Sequence, residues 1–503
     1  VTRQIHIIFV LIAQLLLISC TGYGLFYDDV RLETSELEQI CLQQPNSKCL
    51  LQSASAITAN MSEDVSHAEA LIVIAKTQYR LENNQAALNT IGEIRILVMQ
   101  FNGLFELSQL AKAQQQSSRN IIILANSIID DIQQPRDKMA ALILGSILLS
   151  DNQQTDLAKI QLQKAVLLAK NNASHSTNNI DIRFFSRILP KLLQSNNTEV
   201  IEQLIDLQAK PSQQIIARAK FCILLKDHNP TLAKQQFKQL LKKWSQLANK
   251  QQTKTARAAI INALVAFDKL KQAYEIRQQQ TDNISKIGIS SVIIQQLTAD
   301  ANEQNITQAK QELVWLLRQV RQHPRPTIPV NALPQIKQQA AQDDFDLANL
   351  RAQAIADVAL GLAAINQLTE AVYFAEQIQH AMGHIQGYTL TKLAKQYARQ
   401  GDINTALLTM ESIYRPVNRA ACLTEISAQL AKNGDLNRAI IIAARINRRS
   451  WRDIANSEIS ILQARQNDIK TAMKTLNTIQ RSYSAVYAMS EIAGTLQAQQ
   501  NKR

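Results

Sequence analysis

The sequence predicts an all-helical solenoid, and three observations carry that prediction. The 503 residues include only 12 Gly and 10 Pro, too few for the many tight turns and phosphate loops of β-rich or α/β folds. Apolar residues, mostly Leu, Ile and Ala, recur at three- and four-residue spacing almost everywhere, the period of an amphipathic helix. The C-terminal part repeats every 33 residues, a period that marks stacked helical units. Hydrophobic residues make up 46% of the chain, so wholesale disorder is excluded and a core is expected. The length suits two to four domains or one long array.

The first element is an address. Val1 to His6 are polar with Arg3, Ile7 to Ile18 are apolar apart from Gln14, and Leu17-Ile18-Ser19-Cys20 follows. A short basic start, an apolar run and a small residue before the cut describe a secretory signal. The run is shorter than the roughly 20 residues a membrane span needs. Leu17-Ile18-Ser19-Cys20 resembles the lipobox of bacterial lipoproteins. The resemblance implies cleavage before Cys20, acylation of its thiol, and a tether over 20–34. Thr21 stands where Asp favours retention in the inner membrane, so the implied location is the periplasmic side of the outer membrane. An ordinary signal cut near Gly22, or an uncleaved anchor, stays open.

Five cysteines stand at 20, 41, 49, 222 and 422. Cys41 and Cys49 flank the turn signal Pro45-Asn46-Ser47 between two helical runs, which places them for a disulfide in an oxidising compartment; two reduced core thiols are the alternative. Cys222 and Cys422 have apolar neighbours and read as core thiols. No CxxC pair occurs, so a zinc ribbon or thioredoxin-type site is unsupported.

Ser35-Glu36-Leu37-Glu38 is a capping box that opens the helical body. Asn171 to Asn179 is a polar loop. Four of the ten prolines fall between His323 and Pro334, where missing donors and restricted backbone break helices. The expected division is a leader over 1–19, a tether over 20–34, an N-terminal helical body over 35–322, a Pro-rich linker over 323–334 and a C-terminal repeat body over 335–503. In that last body Gly401-Asp402, Gly434-Asp435 and Asn467-Asp468 recur at 33 residues, as do Ala406, Ala439 and Ala472, and Ile413, Ile446 and Ile479. Each unit reads as helix, left-handed turn, helix, with the Ala allowing two backbones to approach.

Gln400-Gly401-Asp402-Ile403-Asn404-Thr405-Ala406-Leu407 resembles the centre of a tetratricopeptide repeat, with Leu393, Ala394 and Tyr397 at that family's Leu, small and Tyr positions. The chain departs from the family in its period of 33 rather than ~34 residues and in having the closing Pro only at Pro416. Weaker copies lie near Ile74-Ala75 with Ala87 and Ile94, and over 351–384. The resemblance implies hairpin repeats whose first helices line an extended face for protein or peptide partners.

Charge is uneven within a net +13. His228 to Phe267 contains no acid, and Lys234, Lys238 and Lys242 share one helical face, with Lys243 beside them. This face is either a solvated basic surface or a contact for an anionic envelope polymer, lipid headgroups or an acidic protein. Nucleic acid is set aside because the leader implies export. Arg448, Arg449 and Arg452 surround Trp451 at a repeat junction, residue types that suit partner contacts but also cap helix ends.

No GxSxG, HExxH, GxGxxG or Walker signature occurs, so no enzyme, cofactor or metal is expected. Glu376, His380 and His384 have metal-capable spacing but are expected to be split by a helix end. Asp343-Asp344-Asp346 is expected in the first turn of the helix after the linker. The function expected is a non-catalytic envelope lipoprotein that scaffolds protein partners through its repeats, with Arg448, Arg449, Trp451 and Arg452 as the partner surface. The rivals are an anionic polymer or lipid binder using the Lys-rich face, and a glycan-processing enzyme without a recognisable motif.

Overall fold

The computed structural model describes residues 36–172, 185–186, 189–190, 192–193, 198–208, 210–247, 253–323 and 334–501. The fold is an all-helical solenoid: among the described residues there are 24 α-helices and no strand. The leader, Cys20, the tether and the centre of the Pro-rich segment lie outside the described residues.

The repeat is built around one backbone conformation. Among the described residues eight hold positive φ: Glu82, Gln115, Gln153, Asp268, Asn366, Gly401, Gly434 and Asn467. Each ends the first, longer helix of a hairpin. The N–H of the following residue donates to the carbonyl five positions back: Asp402 to Tyr397 at 3.0 Å, Asp435 to Leu430 at 2.9 Å, Asp468 to Gln463 at 2.9 Å. The same bond links Asn83 to Gln78, Gln116 to Ala111, Gln154 to Leu149, Lys269 to Leu264 and Gln367 to Leu362. This is the Schellman closure, which satisfies the last carbonyls of the helix. In the three C-terminal repeats the next residue is Asp402, Asp435 or Asp468, whose carboxylate accepts from the N–H of Thr405, Arg438 or Thr471 and so caps the second helix.

Packing follows the same register. Five residues after the left-handed position stand Ala87, Ala158, Ala273, Ala371, Ala406, Ala439 and Ala472, all buried; only Asn120 departs. Seven residues before it stand Ala75, Ser108, Ser146, Ala359, Ala394, Ser427 and Ser460, also buried; only Ile261 departs. Small residues at both positions let the two helices of a hairpin come close. Twelve residues after it, Ile94, Ile378, Ile413, Ile446 and Ile479 close the core of the unit.

The helices group into two compact units, and these differ from the expected bodies. One comprises 1–158 with 423–503, the other 159–422. In the first, the last helix, Ser482–Gln500, packs between Arg449–Arg465 on one side and Ser47–Ala59 and Val65–Arg80 on the other. The Ser47 hydroxyl donates to the Ala493 carbonyl at 2.9 Å. The N-terminal hairpins therefore continue the row of C-terminal repeats instead of forming a body of their own. The apolar face that α-helical repeats leave open at an end is covered by the opposite end of the chain. In the second unit, Glu303–Gln322 and Pro334–Ala364 flank the Pro-rich segment and pack directly on each other. That segment thus joins neighbours within one unit, and the expectation of a linker between bodies is corrected. Asp343, Asp344 and Asp346 lie in the third and fourth turns of a helix that starts at Pro334, with Gln339 donating to Asp343 and Gln342 to Asp346. They are not the acidic first turn expected.

The register has energetic consequences. Replacing Ala406, Ala439 or Ala472 with Leu is expected to destabilise by about 1–3 kcal/mol through overpacking. Replacing the exposed Glu82, Gln115, Gln153 or Asp268 with Gly is expected to stabilise, each by up to about 1 kcal/mol, by relieving a left-handed Cβ. Urea unfolding of the single variants checks both signs.

Candidate functional site

Two charged surfaces and one covalent link come from the expected residues. Cys41 and Cys49 are bridged, with Cα atoms 5.6 Å apart. Asn46 makes this geometry by capping Ser47–Ala59, its side chain accepting from the Cys49 N–H at 2.9 Å. Cys41 is fully buried against Met473, Leu476 and Leu496, so the bridged hairpin seals the last repeats. Cys222 and Cys422 are buried thiols outside the disulfide; burial pushes the Cys222 thiol up to about 12, which makes it inert.

The arginine cluster sits at the start of Arg449–Arg465. Arg448 is the N-cap residue, and no acid occupies the first turn. Arg448 and Arg449 are exposed, while Trp451 and Arg452 are half-buried. None of the three arginines makes an ion pair within 4 Å among the described residues. Cations at a helix N-terminus oppose the helix dipole, which disfavours Arg448 and Arg449 there. Arg452 differs, because it interacts with the buried carboxylate of Asp453. The Trp451 carbonyl accepts from the Thr424 hydroxyl at 3.1 Å, tying the junction to the preceding repeat. Arg419, one repeat earlier than Arg452, donates to the carbonyls of Ile413 at 2.6 Å and Glu411 at 3.2 Å. The equivalent position in the preceding unit is thus a helix cap.

The Lys-rich face lies on Pro230–Ser245. Lys234, Lys238 and Lys242 are exposed on one side, with Ala233, Gln236, Phe237 and Leu240 buried on the other. Phe237 stacks on Phe267 with ring centroids 4.4 Å apart. Lys243 leaves the set: it pairs with Asp206 at 2.9 Å. Asp206 also meets the buried Arg218 at 3.3 Å.

Sequence reasoning missed a third surface. Glu425, Glu458 and Glu491 recur at 33 residues, and Lys432 and Arg465 follow the first two by seven. Arg80 and Arg465 both meet Glu491, at 2.6 and 3.4 Å. Burial raises the Glu458 carboxyl, opposed by Lys432 and Arg465. Nearby, Lys76 pairs with Glu106 at 2.6 Å. Glu69 has its carboxyl raised to about 7 by burial, then by Glu106 and Asp64. Burial also raises Tyr483 and Tyr487. The signal available in the sequence was the 33-residue recurrence of charge, which was read there only for turns and Ala positions.

Other polar clusters are closed internally. Arg277 lies over Trp315 at 4.0 Å and Tyr274 at 4.7 Å, donates to Ser290 at 3.0 Å and pairs with the buried Glu312. Glu376 ends its helix, His380 falls in a short 3-10 turn and His384 starts the next helix, so the three share no helical face. Among the described residues no group of three or more His, Cys, Asp or Glu is placed to hold a metal ion. Among them, too, no helix is long and apolar enough to cross a membrane.

No protein-family model matches the sequence. No curated protein matches it either. Among solved structures the chain is similar to Ton1535 from Thermococcus onnurineus NA1, with 12% identity over 83% of this chain and 97% of that one and a TM-score of 0.23. It is also similar to a circular tandem repeat protein with novel repeat topology and enhanced subunit contact surfaces, with 12% identity over 93% and 96% and a TM-score of 0.17. The fold assignment rests on the helices themselves.

Glu69 supplies a pH prediction. Its folded carboxyl titrates near 7 against an ordinary value of 4.5, so the folded state binds more protons between those values. Its contribution to stability is full below about 4.5 and is lost as pH rises through about 7. Glu69→Gln, which mimics the protonated form, is expected to be more stable than the parent at pH 8 by about 1–2 kcal/mol, allowing for partial exposure. The gap is expected to vanish near pH 4. Denaturant melts at the two pH values test this.

Proposed function

We propose that the protein is a non-catalytic scaffold of the bacterial cell envelope. In this reading Cys20 is acylated and holds the chain at the periplasmic side of the outer membrane, and tetratricopeptide-like repeats bind protein or peptide partners. Helical repeats suit such a role because stacked hairpins offer long, rigid surfaces.

The observation that carries the partner surface is the unneutralised charge of Arg448 and Arg449. They are exposed and set against the helix dipole, and among the described residues neither makes an ion pair. An acidic partner would supply the missing anion. The half-buried Trp451 provides an amphipathic edge beside them, and Arg and Trp are the residue types over-represented among interface hot spots. Arg452 supports the junction and borders the surface.

A second reading has its own observation. Lys234, Lys238 and Lys242 are also exposed and make no ion pair among the described residues, which suits an anionic polymer or lipid surface. Strongly hydrated ammonium groups contribute little per exposed contact, so this reading ranks second.

The two are separated by comparing Trp451→Ala and Arg449→Glu with Lys238→Glu/Lys242→Glu in a pull-down from detergent extract, after checking that each variant folds. Loss of the partner in the first pair alone is expected, at a cost of about 2 kcal/mol or more for the Trp. Loss only in the lysine variant moves the site to the basic face. For the anchor, Cys20→Ala is expected to leave an unprocessed precursor that takes up no labelled palmitate. Unchanged processing and detergent partitioning would remove the lipoprotein reading.

A further inference from the structure

The unit that joins both chain ends carries a cleft at the opposite end of the helix that starts at Arg449. Two residues before the left-handed turn, the first helices of successive repeats carry Lys432, Arg465 and Arg80. Ser482–Gln500 lies between Arg449–Arg465 and Val65–Arg80 and packs on both. Its equivalent position, 33 residues after Arg465, is Ala498. The row of long basic side chains is therefore interrupted there, and a cleft of about 460 Å³ opens. Its walls are Arg80 and Arg465, and its floor includes Gly494, Thr495 and Ala498. A Cβ on Gly494 would meet Thr77 Cγ2 at 3.8 Å, an ordinary packing contact, so this glycine lies where its helix touches Val65–Arg80.

The lining charges are two guanidiniums against one carboxylate. Arg80 Nη1 lies 2.6 Å from Glu491 Oε1, and Arg465 Nη2 lies 3.4 Å from Glu491 Oε2. The longer contact leaves Arg465 with unused donors, and its side chain is 55% exposed. Glu458, seven residues before Arg465, is opposed first by Lys432 and then by Arg465, and does not line the cleft. The helix ends around the cleft are already capped. The Gln499 amide donates to the Ala464 carbonyl at 2.9 Å, and the Asn83 N–H to the Gln78 carbonyl at 3.0 Å. Those carbonyls therefore do not present free acceptors that would repel an anion. The remaining rim is Thr495, Gln497, Gln499 and Asn501. The Thr495 hydroxyl donates to the Glu491 carbonyl at 2.9 Å and the Gln497 amide to Asn501 Oδ1 at 3.1 Å, which leaves the hydroxyl lone pairs, the amide carbonyls of the two Gln and the second N–H of each amide to meet a ligand.

We propose that this cleft binds a sugar acid, a hydroxylated monocarboxylate of one or two rings. One surplus positive charge matches one carboxylate, and guanidinium groups bind carboxylates through paired donors. Hydroxyls need partners that both donate and accept, which the Thr, Gln and Asn rim provides. The volume lies within the range of small-ligand sites, about 300–1,000 Å³. This site is independent of the partner surface at Arg448 and Arg449, which lies at the N-terminal end of the same helix.

The test is calorimetric titration of the full chain at low salt with glucuronate, glucose, acetate and N-acetyl-alanyl-alanine. Glucuronate is expected to bind at least tenfold more tightly than glucose, which lacks the carboxylate, and than acetate, which lacks the hydroxyls. Arg465→Gln and Ala498→Phe, the latter adding bulk at an exposed lining position, are expected to abolish the binding with unchanged helical content. Arg449→Glu is expected to leave it intact, so failure of the partner surface and failure of this site are read separately. Absence of glucuronate binding overturns the proposal. So do acetate binding of equal strength, tighter binding of the peptide acid, or glucuronate binding that survives both cleft variants.

Discussion

Each hairpin of this protein depends on one residue held in the left-handed backbone region. That residue ends the first helix, and the Schellman bonds around it point the chain back along the way it came. Because the reversal is fixed in sequence register, the residue five positions later always meets the first helix at the same height. Only a small side chain fits there, hence the buried Ala in seven of the eight turns. The turn therefore sets the interhelical distance, and that distance sets which charges line up from one repeat to the next. The recurrence of Glu425, Glu458 and Glu491 is a consequence of this geometry as much as of sequence repetition.

The second constraint is the exposed end that any stack of hairpins leaves. In the unit holding both termini, Ser482–Gln500 would present an apolar face if the array stopped there. The disulfide-closed N-terminal hairpin and Val65–Arg80 cover it, and Cys41, Leu50, Ala54 and Ile74 share one core with Leu476, Met489 and Leu496. The same arrangement makes the unit discontinuous. Its C-terminal helices are made last, yet the N-terminal hairpins need them to bury their own apolar surface. Contacts of such sequence separation are costly in loop-closure entropy and are formed late.

The fold was legible where the left-handed position is Gly or Asn followed by Asp. Gly401, Gly434 and Asn467 announce the turn, and the helix-capping Asp announces the next helix. At Glu82, Gln115, Gln153 and Asp268 the same conformation is adopted by residues that give no such signal, because tertiary packing overrides a local cost of about 1 kcal/mol. The register of the middle was hidden for that reason. The Pro-rich segment misled because prolines mark a break in helix, and a break between packed neighbours has the same composition as one between bodies. The partnering of the chain ends leaves no local trace at all. As for the charged surfaces, the sequence shows which Lys and Arg share a face, but not which have partners. Lys243 was read with Lys242 and turned out to be engaged by Asp206.

The two ends of Arg449–Arg465 show how the same residue type serves opposite roles. Arg465 stands in the last turn, where the helix dipole favours a cation, and a carboxylate from the next helix steadies it. Its position is therefore stable without a ligand, and a site built on it is preorganised. Arg448 caps that helix and Arg449 opens it, where the dipole disfavours both, and no acid stands in the first turn. An anion arriving there relieves an existing repulsion and meets little preset geometry. Interaction at the exposed end must then fall steeply with salt, because charges exposed to water are screened over about 10 Å at 0.1 M ionic strength. Interaction in the cleft, where Glu491 is 18% exposed and Arg80 38%, is screened less. Salt dependence thus follows from the depth of each arginine and its place along the helix, and it distinguishes a surface that gathers a charged partner from a pocket that selects a small one.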